Sequence, residues 1–230
     1  MEFGAIRKTS LVDYPAKRAV VLFTKGCNYA CPYCHNPALS RPATGSETVS
    51  EEQALETLAL RRKYADALVI SGGEPTLHQG LRAFIIRARA LGYLVKLDTN
   101  GSNPAMLKQL FDEKLLDYVA LDLKAAPEDY AKATGGISDA ARSVKESADA
   151  IKASGIDYEF RTTVVQGLHS SQSIKAMCQW IEGGNKLFLQ RFRPGSCLEP
   201  AWNDKQPPCE KELEEMLKEA KPFFKEAGLR

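Results

Sequence analysis

The sequence predicts an α/β fold built on a parallel sheet. Three observations carry that prediction: six short aliphatic runs recur along the chain, segments with helical spacing separate them, and 230 residues make one large domain or two small ones. The runs are Ala19–Phe23, Ala67–Ile70, Tyr93–Leu97, Tyr118–Leu123, Tyr158–Val165 and Leu187–Phe192. Each is short and rich in β-branched or aliphatic residues, as strands are.

The helices follow in order. Ser50 and Gln53 form a capping box for the first, with Ala54, Leu55 and Leu58 on one face. Leu81, Phe84, Ile85 and Ala88 mark the second, which stops near Gly92. Pro104 suits the first turn of the third, with Leu107, Leu110 and Phe111 inward. The fourth spans about Asp139 to Ala153 and ends before Gly155. Ile174, Met177, Cys178 and Ile181 mark the fifth. The last spans about Pro208 to Ala220, with Leu213, Met216 and Leu217 as its apolar stripe and Pro222 as its end. Strand–helix alternation repeated six times specifies parallel pairing with right-handed crossovers. A closed (β/α)8 barrel takes about 250 residues. Six units leave an open partial barrel and a doubly wound sheet both available.

A hydrophobic fraction of 44% supports a sizeable core and excludes a disordered chain. With 31 basic and 29 acidic residues the net charge is +2, which gives no case for a nucleic-acid or membrane-surface protein. No apolar run approaches the roughly 20 residues that span a bilayer, and Met1 to Tyr14 lacks a signal-peptide core. A cytoplasmic protein with reduced thiols is expected.

In parallel α/β folds, chemistry sits at the carboxyl ends of the strands. Here Lys25-Gly26-Cys27 follows the first strand and Ser71-Gly72-Gly73-Glu74-Pro75 the second. Asp98-Thr99-Asn100-Gly101 follows the third, and Asp122-Leu123-Lys124 closes the fourth. Arg161 lies in the fifth, and Arg191-Phe192-Arg193-Pro194-Gly195 follows the sixth. Six strands thus deliver polar or Gly-rich residues to one rim.

Of six cysteines, Cys27, Cys31 and Cys34 lie within eight residues, in Cys27-Asn-Tyr-Ala-Cys31-Pro-Tyr-Cys34-His35. Clustered reduced thiols read as metal or redox chemistry. Structural zinc wants four ligands, often two pairs of Cys, and no second pair exists. A four-iron cluster on three Cys leaves one iron open for a substrate or cofactor. The cluster is the favoured reading, with zinc as its alternative.

The Cys-x3-Cys-x2-Cys spacing, with an aromatic before the third Cys, resembles the signature of radical S-adenosylmethionine (SAM) enzymes. Lys8-Thr-Ser-Leu-Val-Asp-Tyr-Pro15 and Phe23-Thr-Lys-Gly-Cys-Asn-Tyr-Ala-Cys-Pro-Tyr-Cys-His-Asn-Pro37 resemble the glycyl-radical-enzyme activating proteins. The branch most like it activates anaerobic ribonucleoside-triphosphate reductase. The resemblance implies a partial, open (β/α)6 barrel in one domain, with a core of about residues 16–200 and a helical segment at about 205–230. It implies that Cys27, Cys31 and Cys34 bind a [4Fe-4S] cluster whose open iron is chelated by SAM. Tyr33 would lie near the adenine and His35 would flank the cofactor. Gly72, Gly73 and Glu74 would meet the methionyl amino group, where a missing Cβ permits close approach. Asp98, Thr99, Asp122 and the Ala120 carbonyl match a monovalent-cation site, since converging carboxylates need a cation or the SAM amino group to offset repulsion. Leu123, Lys124 and Arg161 match further cofactor-lining positions, while Arg193 stands where some relatives carry a His.

The implied chemistry is reductive cleavage of SAM to a 5′-deoxyadenosyl radical that takes hydrogen from a glycine of a partner glycyl-radical enzyme. Flavodoxin or ferredoxin is the implied electron donor. Alternatives are activation of a formate-lyase type of enzyme, a small-molecule substrate as in the deazapurine-forming synthases, and a non-catalytic iron–sulfur or zinc module. Outside the motifs the residues read as structure. Cys178 is expected to be a buried core thiol, Cys197 and Cys209 incidental thiols, and His78 and His169 solvated loop residues.

Overall fold

The computed structural model describes residues 1–230. Eight strands lie in one open sheet in sequence order: β1 (Phe3–Ser10), β2 (Ala19–Thr24), β3 (Ala67–Gly72), β4 (Leu94–Thr99), β5 (Tyr118–Asp122), β6 (Asp157–Val164), β7 (Gly184–Arg191) and β8 (Phe224–Leu229). The helices are α1 (Pro37–Ser40), α2 (Glu51–Arg61), α3 (Leu81–Ala90), α4 (Pro104–Asp112), α5 (Tyr130–Ala133), α6 (Ala140–Ala153), α7 (Ser171–Ile181) and α8 (Glu210–Ala220). All six expected strands and all six expected helices form. No helix is long and apolar enough to cross a membrane.

Two strands were not expected. β1 reads Phe-Gly-Ala-Ile-Arg-Lys-Thr-Ser and pairs antiparallel with β2. β8 reads Phe-Lys-Glu-Ala-Gly-Leu and pairs parallel with β7. Both are edge strands, whose charged residues discourage further pairing and erase the apolar run that betrays a central strand. The C-terminal segment therefore ends in a strand instead of being wholly helical. Pro222 lies in a 3-10 turn, Lys221–Phe223, that ends α8 and leads directly into β8.

The chain divides into two compact units. The first comprises Met1–Asn28, Ala38–Thr99 and Ala105–Val119. Its β2 and β3 run parallel from Ala19 opposite Ala67 to Thr24 opposite Gly72. All but one residue of β2 is buried or nearly so, as a strand covered on both faces requires. Ser50 caps α2 through the expected box, its hydroxyl accepting the Gln53 N–H (3.2 Å) while Gln53 accepts the Ser50 N–H (2.9 Å). α3 buries Leu81, Phe84, Ile85 and Ala88, and Phe84 packs on Phe3 with ring centroids 5.0 Å apart.

The second unit comprises Tyr29–Pro37, Asn100–Pro104 and Ala120–Arg230. α7 buries Ile174, Met177, Cys178 and Ile181, so Cys178 is the expected core thiol, its pKa pushed up to about 12 by burial. Glu159, fully buried on β6, is gripped by both Arg230 guanidinium nitrogens at 3.0 Å. The Arg230 side chain is 40% exposed, so water softens the loss of its charge. Arg230→Met is expected to destabilise the fold by about 1–3 kcal/mol, measured by urea unfolding. An unchanged midpoint would show that Glu159 finds other partners.

Candidate functional site

In the first unit the chain leaves β2 at Lys25 and turns at Gly26 (φ 82°) into Cys27. That irregular backbone is held by its neighbours. Gly26 N–H donates to the Leu39 carbonyl (2.7 Å), Glu74 N–H to the Gly26 carbonyl (2.8 Å), and Gly73 N–H to the Thr24 carbonyl (2.9 Å). Arg41 donates to the Cys27 carbonyl (2.5 Å), and His78 Nε2 donates to the Lys25 carbonyl (3.0 Å). His78 is thus a half-buried anchor, not the solvated residue expected.

Gly72 and Gly73 are glycine for a reason close at hand. A Cβ on Gly73 would stand 2.0 Å from the Gly26 oxygen, and one on Gly72, already at φ 111°, 2.5 Å from the Thr24 nitrogen. The close approach is to the chain's own backbone at the start of the Cys loop. Glu74 also has an internal task. Fully buried, its Oε1 accepts from the Thr76 N–H (3.1 Å), the Thr76 hydroxyl and the Thr99 hydroxyl (2.7 Å). Its carboxylate thereby joins the turn after β3 to the end of β4.

Asp98 accepts from the Ser71 hydroxyl through Oδ2 (3.0 Å) and has the Lys96 ammonium 3.5 Å from Oδ1. Lys96 is itself buried, donates to the Asp13 carbonyl (2.6 Å) and lies 5.3 Å from the Tyr118 ring centroid. The cation beside Asp98 is therefore one of the chain's own, a residue the sequence reading missed.

In the second unit Cys31 and Cys34 share one turn, with Cys34 N–H donating to the Cys31 carbonyl (3.0 Å). Ala30 N–H donates to the Thr134 carbonyl (2.9 Å), and Glu199 N–H to the Pro32 carbonyl (3.0 Å). Tyr33 is buried between the two thiols. Its hydroxyl donates to the Lys124 carbonyl (3.3 Å) and its ring lies 5.8 Å from that of Trp202. Burial, then the negative charge available to Cys31, pushes the phenol far above its ordinary range, so Tyr33 stays a neutral donor. The His35 ring stacks on Phe192, centroids 5.4 Å apart at 17°, which ties the Cys turn to the residue after β7. Burial lowers the His35 pKa against a hydrogen bond to the Arg193 backbone.

Asp122, at the end of β5, receives Arg161 Nε on Oδ1 (2.9 Å) and Lys124 Nζ on Oδ2 (3.1 Å). Burial disfavours its charge, but the Arg161 and Lys124 cations outweigh that and hold the carboxyl down at about 2. Burial likewise opposes the Lys124 charge, and the Asp122 carboxylate, followed by Cys31, keeps its pKa well above the ordinary value. What reads in sequence as a two-residue ion pair is a triad. Leu123 is fully buried beneath it, its N–H donating to the Arg161 carbonyl (2.8 Å).

His169 departs from expectation most. It is only 7% exposed; Val165 N–H donates to Nδ1 (3.0 Å), and Nε2 faces the Lys124 carbonyl (3.0 Å). An amide must donate and a carbonyl must accept, so these contacts fix the neutral tautomer with its proton on Nε2. Burial depresses the pKa to about 4. The Lys124 N–H donates to the buried Tyr130 hydroxyl (3.2 Å), so three aromatic side chains grip one residue's backbone. The available signal was positional: Gly167-Leu168-His169 follows a strand's carboxyl end, where the other candidates lie.

The chain matches the Radical SAM superfamily over residues 21–181, well over half its length. The chain belongs to the radical SAM superfamily. A Methanocaldococcus jannaschii protein provisionally named a glycyl-radical enzyme activating enzyme is 33% identical over 226 residues, 96% of this chain and 92% of its own. The pyruvate formate-lyase-activating enzyme of Clostridium pasteurianum is 33% identical over 137 residues, 57% of this chain and 56% of its own. Streptococcus suis SuiB, solved with bound S-adenosylmethionine, shares the fold at TM-score 0.65 and 12% identity, over 90% of this chain and 51% of that one. This radical SAM chain is an enzyme, and its family implies a [4Fe-4S] cluster and SAM.

The residues fit those groups. Cys27 and Cys34 are partly open to solvent and Cys31 is buried, and soft thiolates are the donors an iron–sulfur cluster takes. No three His, Cys, Asp or Glu side chains are gathered tightly enough to hold a single ion. A four-iron cluster places each thiolate on a different iron and needs a wider spread. The expected monovalent cation loses its electrostatic argument, because Asp98 has Lys96, and Asp122 has Lys124 and Arg161.

Two outcomes follow. Gly73 has no left-handed φ, so Gly73→Ala acts through its clash with Gly26 alone and is expected to cost about 1–3 kcal/mol, read from thermal unfolding of the cluster-free protein. His169 takes its proton near pH 4 when folded and near 6.5 when unfolded, so the unfolded chain binds that proton first as pH falls. Its contribution to stability is complete above 6.5 and lost progressively toward 4. The midpoint temperature of His169→Gln should therefore fall less steeply between those values than that of the wild type. Parallel slopes would refute the assignment.

Proposed function

We propose that this enzyme is an activase that installs a glycyl radical on a partner enzyme. The observation that carries the reading is the relative matched over 96% of this chain and named for that activity. The cluster would be held by Cys27, Cys31 and Cys34. When bound, the cluster and SAM supply the 5′-deoxyadenosyl radical that abstracts the glycine hydrogen.

The chain's own residues would receive the amino-acid end of SAM. Lys124 and Arg161 present cations, and Asp122 remains a carboxylate down to about pH 2, so both charges of a zwitterion find an opposite partner. Tyr33 and Leu123 contribute buried apolar surface that excludes water. In the first unit, Asp98 and Thr99, fixed by Ser71 and Glu74, and the backbone at Gly72 and Gly73 are the cofactor-lining positions that the family resemblance implies. His35 would hold the Cys turn through Phe192. An electron donor of the flavodoxin or ferredoxin kind is required to reduce the cluster.

The partner we favour is an anaerobic ribonucleoside-triphosphate reductase, on the strength of the Lys8–Pro15 and Phe23–Pro37 motifs. A formate-lyase type of partner is the second reading, favoured by the likeness to the Clostridium pasteurianum enzyme. The test is anaerobic reconstitution with iron and sulfide, then dithionite and SAM, with each candidate partner added in turn. Expected are 5′-deoxyadenosine, its loss in Cys31→Ala, and a glycine-centred radical signal on one partner only. SAM cleavage without any glycyl radical would leave the family intact and overturn the activase reading.

A further inference from the structure

We propose that His169 is a positioning residue for SAM binding, holding Lys124 in place through the Lys124 carbonyl. The inference rests on the reading of Lys124 as a SAM-facing residue. β5 ends at Asp122, so Lys124 lies beyond the regular sheet, and its peptide orientation must be fixed by something else. His169 comes from the turn after β6. There its own N–H donates back to the Val165 carbonyl (3.0 Å), and Gly167, at φ 80°, permits the reversal. That turn returns the imidazole to the strand end with its two nitrogens assigned to different tasks. Nδ1 closes the turn on Val165, and Nε2–H reaches out to Lys124.

Closing the turn is a local structural task. The second contact is not needed for it and does something else. It joins the segment after β5 to the turn after β6, the strand that carries Arg161. The Lys124 side chain meets Asp122, which also meets Arg161. A rotated Lys124 peptide would move the ammonium away from that carboxylate and undo the triad. Tyr33 donates to the same carbonyl at 3.3 Å against 3.0 Å for His169, so the imidazole is the nearer restraint. Asp129 is the charged group that bears on His169; it favours the protonated ring, and burial outweighs it, so the ring is neutral at physiological pH.

The two ring nitrogens can be tested apart. An Asn amide reaches only as far as Nδ1, and a Gln amide reaches the position of Nε2. Equilibrium SAM affinity would be measured on cluster-loaded protein without reductant, so that no turnover occurs, together with amide hydrogen exchange of the Leu123–Tyr130 segment in cluster-free protein. His169→Asn is expected to weaken SAM about tenfold and to speed exchange in that segment, while His169→Gln stays within about twofold of wild type in both. Lys124→Met should match the Asn variant in affinity. Equal SAM affinity in the Asn and Gln variants would reduce His169 to a turn support and overturn the inference, with the Lys124 reading intact if Lys124→Met still weakens binding. Unchanged affinity in Lys124→Met would overturn both. If the Asn variant does not fold, His169→Met, which has the reach of Gln but no donor, takes its place. A loss of about tenfold relative to His169→Gln then supports control through the Lys124 carbonyl, and equal affinity overturns it.

Discussion

A loop that presents three cysteines in eight residues has no ladder to satisfy its own backbone, so its polar groups find partners within its turns or on neighbouring segments. That requirement shapes the residues around it. In the first unit Gly26 is held by Leu39 and Glu74, and the contact is so close that Gly73 has no room for a Cβ. In the second, Ala30 is held by Thr134, Pro32 by Glu199, and Cys34 by Cys31. The Gly-Gly-Glu run after β3 is thereby explained before any cofactor is considered. Its glycines admit the loop, and its glutamate, with three donors on one oxygen, secures the neighbouring strand end.

Charge is arranged on the same principle of local completion. Asp98 and Asp122 are each matched within their own unit, the first by buried Lys96 and the second by Lys124 and Arg161. A carboxylate with two cations on separate oxygens has little orientational freedom. Its depressed pKa follows from those cations overcoming burial, not from exposure to solvent. Two cations on one carboxylate leave the Asp122 group with one net positive charge, while Asp98 and Lys96 offset each other.

The alternation of aliphatic runs and helical stripes made the six central strands and their helices readable, because continuous hydrophobicity is what two-sided burial selects. β1 and β8 escaped because Arg7-Lys8 and Lys225-Glu226 are what an exposed edge selects instead. The cysteines and the polar strand ends were readable because their residue types are rare in the roles a fold alone assigns. Lys96 and His169 were not, because a lysine inside a strand and a histidine in a turn have common structural readings. Only distance shows that one lies 3.5 Å from Asp98 and the other 3.0 Å from the Lys124 carbonyl.

Those distances point to a division of labour set by burial. Tyr33, Tyr130 and His169 are buried and uncharged, and each spends its polar atom on the backbone of Lys124. Asp122, Lys124 and Arg161 keep their charges because they hold one another. Neutral groups can be buried deeply at small desolvation cost, so they are suited to holding a backbone still. Charged groups are costly to bury alone and are most useful where a charged ligand arrives. Around Lys124 the chain uses both kinds. The neutral set works through the backbone and the charged set through side chains, and His169 and Tyr130 come from segments whose sequence carries no signature of the chemistry they support.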